Sequence, residues 1–103
     1  MTAKDFLEKI PAKVKPADVE GLKTILHFDL GETEKYSIKV EDGKANFIEG
    51  LVGDAECVLS AKADDFVKIA TGETNPMMAM MTGKLKVQNA GALMKYVKLL
   101  GIM

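Results

Sequence analysis

The tightest constraint on this chain lies between Tyr36 and Phe47. Tyr36, Ile38 and Val40 alternate with Ser37, Lys39 and Glu41, the dipeptide Asp42-Gly43 follows, and the alternation resumes at Ala45 and Phe47. A period of two places every second side chain on the same face of a strand. Asp-Gly favours the positive backbone angles that a two-residue turn between antiparallel strands requires. Residues 36–47 are therefore predicted to form a β-hairpin, and the remaining apolar pattern has to be compatible with it.

Three further stretches alternate. From 22 to 30, Leu22, Leu26, Phe28 and Leu30 fall on one face, with Lys23, Ile25, His27 and Asp29 on the other. From 55 to 61, Ala55, Cys57, Leu59 and Ala61 share a face whose small side chains leave room above it, while Glu56, Val58 and Ser60 point away. Leu85 and Val87 are inward, and Lys84 and Lys86 outward, on a last short strand. Elsewhere the period is helical. Thr2 and Asp5 resemble an N-terminal cap ahead of Phe6, Leu7 and Ile10, with Pro11 expected to stop that helix. Residues 11–21 read as a connector with a further helical turn after Pro16 and with Val14 and Val19 touching the core. Asp64 and Asp65 oppose the positive end of a second helix, whose buried stripe is Phe66, Val67, Ile69 and Ala70, ending at Gly72. Asn89 can cap a closing helix with Ala90, Leu93, Met94, Val97 and Leu100 on its apolar face and Lys95 and Lys98 on its wet one. Four strands followed by helices and one late strand predict a single α+β domain over residues 1–103. It has a five-stranded, mainly antiparallel sheet with the helices on one face and a polar opposite face.

The stretch NPMMAMMTG, residues 75–83, departs from ordinary core composition. Asn75 is a good N-cap, Pro76 suits the first helical position, and Gly83 suits a left-handed stop. On the short helix so delimited, Met77, Met80 and Met81 share a face expected to meet the sheet, with Met78 more peripheral. Methionine is unbranched and polarizable, so such a cluster serves either an irregular core or a surface that moulds itself to variable apolar shapes. Taken alone, it is read as core.

Composition removes several function classes. The 14 basic residues are all lysine against 15 acidic ones, so the chain lacks both a basic excess and the planar fork that reads guanine edges. Nucleic acid is not expected as a partner. No run approaches the ~18 apolar residues of a transmembrane helix, the N-terminus is charged where a signal peptide would be apolar, and Gly101-Ile102-Met103 is not a peroxisomal address. These features predict a soluble cytoplasmic protein. His27 and Cys57 are each the sole residue of their type, too few for a zinc site of nitrogen and sulfur ligands, and no metal or cofactor is expected. His27 is read as a surface imidazole near Asp29, and Cys57 as a small buried apolar residue rather than a thiolate. Ser37 and Ser60 lack a G-x-S-x-G context, and no glycine-rich phosphate loop occurs. Much apolar inward surface with almost no reactive side chains points to binding rather than catalysis.

From Ala55 to Leu100 the order of features resembles the sterol carrier protein type-2 family. That order is an alternating strand, Ala-Asp-Asp-Phe opening a helix, Thr-Gly-x-x-Asn-Pro, a short helix, Gly-Lys-Leu-Lys-Val and a closing helix. The resemblance implies a hydrophobic tunnel between sheet and helices that takes fatty acids, fatty acyl-CoA or sterol-like lipids, in a carrier that is not an enzyme. Carried over by position, it implies tunnel-lining roles for Phe66 and Ile69, for Met77, Met80 and Met81, for Leu85, and for Leu93, Met94 and Val97. Val97 stands where mammalian relatives carry a glutamine, which removes one polar group from the tunnel. Lys84, Lys86, Lys95 and Lys98 are read as a solvated face. A lipid ligand is the expected partner, with transient contact to a membrane or a lipid-using enzyme left open. The rival readings are an enzyme acting on acyl thioesters through His27 or an acidic base, and a Met-rich protein-protein interaction module.

Overall fold

The computed structural model describes residues 2–15, 19–89 and 91–92. The elements run α1 (Ala3–Lys13), β1 (Thr24–Asp29), β2 (Lys35–Glu41), β3 (Lys44–Glu49), β4 (Cys57–Ala61), α2 (Ala63–Ala70), α3 (Pro76–Met81) and β5 (Leu85–Gln88). The expected closing helix is described only at 91–92, where Asn89 Oδ1 accepts from Ala92 N at 3.4 Å as its expected cap; Ala90 and the residues named from Leu93 onward lie outside the described residues, as do residues 16–18, where a further turn is expected to begin.

The five strands form one sheet in the order β3-β2-β1-β4-β5. The hairpin is as expected: Tyr36 pairs with Glu49 through Glu41 with Lys44, and Asp42 and Gly43 take φ of 53° and 73°. β1–β2 and β4–β5 are also antiparallel, with Phe28 opposite Tyr36 and Ala61 opposite Leu85. β1 and β4 are parallel, which makes the sheet mixed rather than uniformly antiparallel.

Helix α1 corrects one boundary. Its Thr2–Asp5 capping box is formed, yet the helix passes Pro11 and ends at Lys13. Proline forgoes one hydrogen bond, to the carbonyl four residues back. So near the end of a helix that loss is tolerated: Val14 N donates to the Ile10 carbonyl at 3.1 Å, and buried Ile10 keeps the last turn on the core. β1 also begins later than expected, because Leu22 N closes a turn onto the Val19 carbonyl at 3.0 Å and that turn buries Val19.

Helices and sheet enclose the core on the face of Leu26, Phe28, Ile38, Val40, Cys57 and Leu59. α1 packs across β3 and α2, and α3 packs on β5. The centre is an aromatic stack. Phe66 meets Phe6 and Phe28 edge-on, each with centroids 5.8 Å apart, a favoured arrangement of ring quadrupoles.

The opposite face is not simply polar and wet. β3 and β4 lie three places apart in the sheet, so residues 50–56 must travel about 14 Å sideways at ~4.8 Å per strand and also return along the strands. The link can reach at most about 25 Å at ~3.6 Å per residue, and its hydrogen bonds hold it against the outer face. Ser37 Oγ donates to the Gly50 carbonyl at 2.7 Å and accepts from Val52 N at 3.0 Å, while Glu56 N donates to the Ile25 carbonyl at 2.9 Å. His27, expected at the surface, is only 9% exposed, and its Nε2 donates to the Val52 carbonyl at 2.8 Å. Strand alternation correctly assigned His27 to the outer face, but chain order alone does not show that a crossover covers that face.

Candidate functional site

The candidate site is built on α2, α3 and β5. In α2, Asp64 and Asp65 occupy the first turn, and Phe66 and Ile69, one helical turn apart, are 1% and 2% exposed. On β5, Leu85 is also buried and Val87 packs against the same core. Three of the expected site residues, Phe66, Ile69 and Leu85, thus meet in one apolar cluster with Phe28, Leu59 and Cys57.

The methionine helix is held at both ends in the expected way. Asn75 Oδ1 accepts from Met77 N at 2.8 Å, Pro76 opens the helix, and Gly83 takes φ +79°. Thr82 Oγ1 donates to the Met78 carbonyl at 2.9 Å, and Lys84 N donates to the Ala79 carbonyl at 2.9 Å, leading the chain directly into β5. The orientation differs from the sequence expectation. Ala79 is the buried residue of α3, Met80 is half-buried against the core, and Met77, Met78 and Met81 are 60%, 56% and 79% exposed. Met77 and Met81 therefore do not face the sheet. A helix of six residues can seat one narrow strip on its support, and the small Ala79 lets the backbone settle closely there. This turns the residues on either side outward. Nor is the cluster core filling. Ala79 is the residue that sequence reasoning missed, and its signal was a lone alanine between two methionine pairs.

Candidate reactive groups lie elsewhere or are masked by packing. Burial pushes the Cys57 thiol upward in pKa, with the charge of Glu56 adding to the effect, so the proton stays on sulfur. His27 is on the sheet face away from α2 and α3 and is engaged by Val52. Among the described residues, no cluster of histidine, cysteine and carboxylate side chains could hold a metal ion. No helix among them is long and apolar enough to cross a membrane. Leu93, Met94 and Val97 lie outside the described residues.

A mixed five-stranded sheet carrying its helices on one face, with an apolar cluster beneath a capped methionine helix, defines an α+β domain. The sequence matches the SCP-2 sterol transfer family over residues 3–101, and the chain belongs to that family of lipid-binding and lipid-transfer domains. It is 32% identical to the fatty acid-binding protein of Yarrowia lipolytica over 89% of this chain and 74% of that one. It is 31% identical to the hydroxysteroid dehydrogenase-like protein 2 of Xenopus tropicalis over 96% of this chain, but spans only 25% of that longer relative. The solved structure of sterol carrier protein 2 from Yarrowia lipolytica superposes with a TM-score of 0.68 at 27% identity, covering 95% of this chain and 84% of that one.

Proposed function

We propose that this chain is a lipid carrier that holds a fatty acid, fatty acyl-CoA or sterol-like lipid in an apolar tunnel between the sheet and its helices. The observation that carries this reading is the capped α3, a charge-free helix with a half-buried methionine above the apolar cluster of Phe66, Ile69 and Leu85. Family membership and the likeness to a fatty acid-binding protein support it. In this reading Phe66, Ile69, Met80 and Leu85 border the ligand on the described side. Met77 and Met81 form its outer rim, and Leu93, Met94 and Val97 complete the wall. Each methylene withdrawn from water contributes about 0.8 kcal/mol, so partial burial of an acyl chain suffices for useful affinity.

Delipidated protein should take up a fluorescent fatty acid or acyl-CoA saturably. Met80→Lys should weaken that uptake about tenfold, and more than Met78→Lys, because only Met80 reaches the core; thermal melts of both variants control for stability. Absence of saturable uptake would sink the carrier reading, and equal effects of the two substitutions would remove Met80 from the site. The carrier reading also predicts that incubation with acyl-CoA releases no thiol above background. A thioester-cleaving enzyme would release it.

A further inference from the structure

Three neighbouring methionines on a helix six residues long remain more than half exposed, and α3 has no charged residue of its own. Directly after it, Thr82 and Gly83 open a depression that is also lined by Lys62, Lys68, Lys84 and Lys86. All four lysines are exposed, and none makes an ion pair among the described residues. Asp64 and Asp65 are the only acidic groups lining it, which leaves a positive excess beside an apolar tip.

We infer that α3 and this lysine-lined depression form a docking surface for an anionic bilayer, with Met77, Met78 and Met81 entering the interface and the lysines meeting lipid phosphates. The charge arrangement selects this occupant. An apolar tip free of charge suits the boundary between head groups and acyl chains, and the exposed lysines beside it are attracted to the negative surface potential of such a membrane. Methionine's flexibility suits a surface with no fixed shape. The inference goes beyond carriage, since docking requires no ligand inside the protein. It assigns the exposed methionines a partner that the buried apolar cluster does not provide.

The test is cosedimentation with vesicles of phosphatidylcholine alone or mixed with phosphatidylserine. The protein should pellet with the mixed vesicles, less so as salt is raised, and only weakly with the neutral ones. The triple substitution Met77→Ser, Met78→Ser, Met81→Ser should lower the bound fraction about tenfold, with the circular-dichroism melt showing that the variant remains folded. Lys84→Glu with Lys86→Glu should abolish the preference for phosphatidylserine while leaving uptake of fluorescent fatty acid from vesicle-free solution unchanged. That last measurement reports on the carrier reading alone, so the two can fail separately. No pelleting, or pelleting that neither variant alters, would overturn the docking surface. So would a dimer in sedimentation velocity that the methionine substitutions disperse, because the patch would then belong to a second copy of the chain.

Discussion

Cys57 shows how position on a strand decides what a single residue can do. It occupies the inward face of β4, opposite Leu26 on β1, and almost no surface of it is exposed. Because burial raises the thiol pKa in the folded chain, the folded chain keeps its proton to higher pH than the unfolded one. The stability linked to this group is intact below the unfolded thiol value of about 8.5, and declines as pH rises from there toward the folded value. Between about pH 7 and pH 9.5, the urea midpoint of the wild type should therefore fall more than that of Cys57→Ala. Parallel curves would show that Cys57 does not titrate differently on folding. Its inert role was legible from the alternation of Ala55, Cys57, Leu59 and Ala61. The role of His27 was not, because its partner is a backbone carbonyl in a segment 25 residues away.

Among the elements, the crossover at 50–56 is tightly packed at one glycine. Gly53 sits there at φ +65°, and a Cβ added to it would lie 2.7 Å from Ile25 Cδ1. Gly53→Ala should cost about 1–2 kcal/mol through left-handed strain and crowding. The loss should be smaller in an Ile25→Val background, where the crowding methyl is gone. Urea unfolding of the two single variants and the double variant checks this, and a Gly53→Ala protein as stable as the wild type would mean that the link is slack. Local signals served well for the hairpin at Asp42-Gly43 and for α3, where Asn75, Pro76 and Gly83 act through bonds to near neighbours. They failed at Pro11, where one missing hydrogen bond is outweighed by the anchoring of Ile10.

Across the whole molecule, Phe66 is the residue on which the layers meet, since it touches Phe6 of α1 on one side and Phe28 of β1 on the other. Phe66→Ala should destabilise the fold by about 3–5 kcal/mol, measured by urea unfolding followed by circular dichroism. A loss below about 1 kcal/mol would mean that α1 and α2 are not held through this ring. By itself the sequence determined the α+β class, the hairpin, the inward faces of the strands, both ends of α3 and the burial of Phe66, Ile69 and Leu85. Each follows from a period or a cap acting within a few residues. Tertiary structure alone decided that β4 joins β1 in parallel, that the crossover covers His27 and Ser37, and that Ala79 rather than Met77 or Met81 meets the core. Those outcomes depend on which strands become neighbours and on how a six-residue helix seats against β5. Such long-range competition for surface is not encoded in the spacing of adjacent side chains.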